Sequence, residues 1–137
     1  MILFFALACF DLPPDFENAQ LIEDFVQRDC EGSAYDSAIA PTTASVVARD
    51  SGTEVAVGPL GFRCAQKVQG FWVGEGDEVS VLIQPVDMNP TEVAGCDCLY
   101  DVDFTLPTTT SAVAVYTRGD NLSGRSEATL EVTGRVE

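Results

Sequence analysis

The chain has 137 residues, 46% of them hydrophobic, enough for one modest core and too apolar for disorder as the default. Seven Lys and Arg stand against 22 Asp and Glu, for a formal charge of −15, and there is no His. That acidity repels phosphate backbones and argues against nucleic acid as a partner. The lack of His removes the usual Ser-His, Cys-His and His-metal arrangements of catalysis.

Residues 2–8 are wholly apolar, small Ala8 precedes Cys9, and Asp11-Leu12-Pro13-Pro14 turns the chain polar. Residues 1–8 therefore read as the end of an export signal. The run is too short to cross a bilayer, which takes about 20 apolar residues, and no later stretch reaches that length. Ala6-Leu7-Ala8-Cys9 resembles the lipobox of bacterial lipoproteins, departing from it at Ala6, where that family usually carries Leu. The resemblance implies diacylglyceryl attachment at Cys9. It also implies outer-membrane sorting, because Phe10 stands where an Asp would favour inner-membrane retention.

Residues 9–28 are expected to form a lipid-anchored tether or arm. Within it, Phe16, Ala19, Ile22 and Val26 fall at helical spacing, while Leu21, Ile22, Phe25 and Val26 suit a first strand. The strand-bearing arm is preferred. Residues 29–137 are then read as one β-domain. Ala44–Arg49 and Thr53–Val57 flank the turn Asp50-Ser51-Gly52, and Gly58-Pro59 breaks the chain. Leu60, Phe62, Cys64, Val68 and Trp72 share one parity, with Trp72 as the expected core plug and Phe71 on the opposite face. After the turn at 74–77, Val79, Val81 and Ile83 alternate on one face. Ser111–Thr117 and Ser126–Val136 are expected to pair as a hairpin that buries Leu130 and Val132, with Arg118-Gly119-Asp120 exposed in the loop between them. These short strands, broken by Gly, Pro and Asp, point to an antiparallel β-sandwich, immunoglobulin-like or jelly-roll-like, stapled by disulfides.

Tyr35-Asp36 with Pro41-Thr42-Thr43 echoes Tyr100-Asp101 with Pro107-Thr108-Thr109, each after a cysteine, as a candidate internal repeat. The most distinctive motif is Cys96-Asp97-Cys98-Leu99-Tyr100-Asp101-Val102-Asp103-Phe104. On a strand, Cys96, Cys98, Tyr100, Val102 and Phe104 face one way and Asp97, Asp101 and Asp103 the other. A bond from Cys96 to Cys98 would close a strained ring, so each is expected to pair with Cys30 or Cys64, in an order left open. Two disulfides imply an oxidising compartment. This Cys-x-Cys-x-Tyr-Asp strand also resembles one in small bacterial outer-membrane lipoproteins of unassigned function, which implies a fold and not an activity.

Three rival chemistries are open to these residues. Cys96, Cys98 and Met88 offer soft ligands for Cu(I). Asp97, Asp101 and Asp103 are weak candidates for a cation site, since Ca²⁺ takes six or more oxygens, usually from loops. Phe71, Trp72, Tyr100 and Tyr116 could serve a carbohydrate-binding accessory module. With no cofactor and no catalytic residue indicated, the expectation is a non-enzymatic, lipid-anchored interaction module. Its place would be the bacterial outer membrane, periplasmic or surface-facing. Its partners would be the membrane, through the anchor, and a protein or glycan. A small-ligand or metal carrier is the alternative.

Overall fold

The computed structural model describes residues 10–32 and 40–137. Its strands in chain order are β1 (Gln20–Leu21), β2 (Phe25–Gln27), β3 (Thr43–Arg49), β4 (Gly52–Arg63) and β5 (Val68–Glu75). They continue with β6 (Glu78–Pro85), β7 (Asp97–Leu106), β8 (Ala112–Thr117) and β9 (Thr129–Arg135). One sheet runs β1-β5-β6-β8-β9 and the other β2-β7-β4-β3, packed as a sandwich. The arm is strand-bearing, and its two short strands join different sheets, so the chain changes sheet between Leu21 and Phe25. Tyr35-Asp36 of the candidate repeat, the export-signal residues 1–8 and the Cys9 anchor lie outside the described residues.

Alternation builds the core. Val79, Val81 and Ile83 of β6 and Val113 and Val115 of β8 are fully buried against Leu60 and Phe62 of β4 and Tyr100, Val102 and Phe104 of β7. Each such side chain contributes about 1.5–3 kcal/mol relative to exposure. Every neighbouring pair is antiparallel except β6 with β8, which run parallel, so the purely antiparallel expectation is corrected there. Between them the chain crosses to the other sheet as β7 and returns, the crossover that a parallel pair requires.

Gly58-Pro59 does not end its strand. β4 continues through it as a bulge, with Gly58 and Pro59 together opposing Asp101, between the pairs Val57–Val102 and Leu60–Tyr100. The extra residue flips the parity, so odd-numbered Val55 and Val57 and even-numbered Leu60 and Phe62 all point inward. Gly58 is required by close approach, since a Cβ there would sit 1.8 Å from Asp101 Oδ1 and 3.0 Å from its Cα.

The central strands of the five-stranded sheet, β6 and β8, are buried on both faces. The sheet's outer face is covered by residues 10–19, where Phe10 meets Phe71 edge-on at 4.8 Å and Phe16 meets Tyr116 at 5.6 Å. Phe71 and Leu82 are completely buried there, and Phe16 is nearly so. Trp72 faces the core as expected but is only partly buried, and Phe71 is the aromatic that is wholly enclosed.

β8 and β9 form the expected hairpin, with one correction. Val115 pairs with Val132 but Tyr116 pairs with Leu130, leaving Glu131 as an extra residue. Leu130 is therefore turned outward and 50% exposed, while Val132 packs on the core. Past Val132, Gly134 lets β9 lie against β3, where a Cβ would come within 2.8 Å of Ala44 Cβ, and a Val46–Val136 bridge ties the sheets along that edge.

Candidate functional site

One end of the sandwich gathers three connections: residues 64–67 between β4 and β5, 86–96 between β6 and β7, and 118–128 between β8 and β9. The strand register also brings all four structural cysteines there. Phe62 opposes Cys98, Arg63 opposes Asp97, and the Cys64 N–H donates to the Cys96 carbonyl at 2.9 Å. Disulfides join Cys30 to Cys98 and Cys64 to Cys96, with Cα separations of 5.6 and 5.5 Å. Each half of Cys96-x-Cys98 thus takes one partner from Cys30 and Cys64. The bonds span 68 and 32 residues, for which chain-entropy estimates give about 4 kcal/mol each.

Beneath these loops lies a buried ion pair that no sequence pattern announced. Arg63 Nε donates to Asp120 Oδ2 at 2.8 Å, and the Asp120 side chain is fully enclosed. Gln66 Nε2 donates to the same oxygen at 3.0 Å, and the Leu122 N–H donates to Oδ1 at 2.9 Å. The Arg63 hydrogen bond holds the Asp120 carboxyl below its ordinary value against the opposing effect of burial, with Gln66 and the Leu122 amide assisting. The network extends outward: Gln66 Oε1 accepts from the Arg63 N–H, and Tyr100 Oη donates to the Arg63 carbonyl. Gln27 clasps the same loop, donating to the Gln66 carbonyl at 2.8 Å and accepting from the Val68 N–H at 2.9 Å.

Arg118-Gly119-Asp120, expected to be exposed, is buried throughout. Arg118 donates through Nε to Gln84 Oε1 at 2.8 Å and through its second nitrogen to the Asp11 carbonyl, locking the arm onto the sheet. A long loop can carry charged residues inward when each finds a partner, and periodicity does not record that.

The pinned loops border a concavity of about 660 Å³ lined by Arg63, Cys64, Ala65, Gln66 and Lys67 on one side and Val86, Asp87, Pro90, Glu92, Val93 and Ala94 on the other. Ala65 at its lip has a φ of 60°, a conformation that costs a non-glycine residue energy and is held by its surroundings. Val86 and Val93 are about half exposed. A shallower groove of about 290 Å³ runs along the uncovered face of the four-stranded sheet, between Val26, Val47 and Ala56, rimmed by Asp24, Glu54 and Asp103.

The rival chemistries lose their geometry. Cys96 and Cys98 are both committed to disulfides, and Met88 is buried, so the Cu(I) set is not assembled. Asp97, Asp101 and Asp103 do share the outer face of β7, but Asp103 accepts from Arg28 Nε at 2.7 Å, and no three potential ligands converge on a metal position among the described residues. Of the aromatics proposed for sugar stacking, Phe71 and Tyr100 are buried, Trp72 packs on the core, and Tyr116 lies under Phe16. Comparison with family models, with curated proteins and with solved structures finds no match.

Proposed function

We propose that this is an exported, non-enzymatic interaction module of the bacterial outer membrane, anchored through lipid on Cys9 and binding its partner at the pinned loop end. The carrying observation is the concentration of stabilising devices at that end. The Cys64–Cys96 disulfide, the Arg63–Asp120 pair and the Gln27 clasp restrain the loops that border the 660 Å³ concavity, and Cys30–Cys98 ties the arm to β7 beside them. Loops already ordered before binding lose little entropy on association, so restraint of this kind favours affinity. Two disulfides accord with an oxidising compartment, and the apolar residues 2–8 before Cys9 support export. The half-exposed Val86 and Val93 beside Lys67, Asp87 and Glu92 suit a protein partner, with an apolar centre and a charged rim.

Two measurements test this reading. Cys9→Ala should move the protein from the membrane fraction to the soluble fraction, and mass spectrometry of the wild type should show the acyl mass. A photocrosslinker placed at Val93 should join one defined partner in cells, while the same group at Ser51, in the turn at the opposite end, should not. Equal crosslinking from both positions contradicts the loop-end assignment.

A further inference from the structure

The two disulfides touch. Cys98 Sγ lies 3.0 Å from Cys64 Sγ across the gap between the bonds, so the sulfurs form one series: Cys30, Cys98, Cys64, Cys96. Disulfide sulfurs carry no proton, so this contact is not a hydrogen bond. Cys30 and Cys96, at the ends of the series, are exposed, whereas Cys98 is buried and Cys64 partly so.

We propose that the four cysteines form a thiol–disulfide exchange relay whose substrate is an external dithiol. This goes beyond the anchored-module reading and does not depend on it. Exchange proceeds by thiolate attack on an accessible sulfur through a mixed disulfide. Attack on exposed Cys96 breaks the Cys64–Cys96 bond and expels the Cys64 thiolate. That thiolate already lies against Cys98; it attacks there, forms a Cys64–Cys98 bond and expels the Cys30 thiolate. The second thiol of the substrate then resolves the mixed disulfide at Cys96, leaving as a disulfide itself. The substrate loses two electrons, and the protein gains two electrons and two protons, held as thiols on Cys30 and Cys96.

Entry at Cys30 gives the same product. The expelled Cys98 thiolate attacks Cys64, forms the same inner bond and releases Cys96. Both routes therefore converge on one two-electron-reduced form, with its disulfide inside and two thiols at the surface. The inner sulfurs need no diffusive search, because the fold holds attacker and target together. Cys64 and Cys98 are diagonal neighbours on paired chains, since Cys98 opposes Phe62 and Cys64 bonds to Cys96. Diagonal neighbours typically stand just beyond disulfide reach, so closing the inner bond requires the two chains to approach each other.

The test uses the full chain with its native disulfides. Thiols free at the outset, including any at Cys9, are blocked with N-ethylmaleimide, and limiting dithiothreitol is then added. New thiols are trapped with iodoacetamide and peptides mapped. A two-thiol species alkylated on Cys30 and Cys96, with Cys64 linked to Cys98, is expected. Alkylation of Cys30 with Cys98, or of Cys64 with Cys96, overturns the relay, as does direct passage to four thiols with no two-thiol species. As a second arm, the double variant Cys30→Ser/Cys96→Ser, purified in air, should titrate with no thiol at Cys64 or Cys98. Two free thiols there in a folded variant overturn it.

Discussion

At the scale of single residues, Asp120 offers the sharpest contrast between what its neighbours in sequence suggest and what it does. In a run of Gly, Asp and Asn it looks like turn chemistry, yet its carboxylate is enclosed and holds Arg63, Gln66 and the Leu122 amide. Removing one partner of a buried pair leaves the other charge uncompensated, and Asp120→Ala should cost about 3 kcal/mol by denaturant unfolding, at the low end for such pairs because Arg63 keeps some solvent contact. The pH dependence has a definite sign. The folded state holds this carboxyl below its ordinary value of 3.8, so the fold favours the ionised form. Its contribution is complete above the ordinary value and is lost as pH falls through the lowered one. Wild type should therefore converge on Asp120→Asn in stability as acid unfolding proceeds below pH 3.8. A stability gap unchanged across that range contradicts the assignment.

Among elements, β9 and the arm show where sequence pattern succeeds and where it stops. Strand positions, the hairpin, the inward faces of β6 and β7 and the exchange of cysteine partners were legible, because alternation and Gly-bearing turns report one-sided burial directly. The bulges were not. One added residue at Glu131 turns Leu130 outward, and the bulge at Gly58-Pro59 prolongs β4, neither of which alternation records. Leu130→Ala should stay within about half a kcal/mol, whereas Ile83→Ala should cost about 2–5 kcal/mol. Comparable losses at both would contradict the shifted register. The apolar character of Leu82 and Phe71 was visible, but not the element covering them. Phe16, 3% exposed above that face, should cost about 3–5 kcal/mol when replaced by Ala, measured as a fall in Tm. The loop-end site was least legible, since it assembles from residues 27, 63, 66 and 120, which only the tertiary fold brings together.

On the scale of the whole molecule, stabilisation is unevenly placed. The uncovered face of the four-stranded sheet carries exposed Val26 and Val47, while the loop end is tied by disulfides, a buried ion pair and side-chain clasps. A charge of −15 keeps such a body apart from other acidic surfaces and leaves recognition to local shape. Amide hydrogen exchange tests this unevenness most directly, because opening free energies vary across a structure with local contact. The amides of Cys64, Val68, Val86 and Leu122 each donate to a partner at the loop end. They should exchange nearly as slowly as those of β6 and β8 in the native protein, and much faster after both disulfides are reduced. If they instead exchange in the native state as fast as the Asp50-Ser51 turn, the loop end is not preorganised and the assignment of the binding face fails.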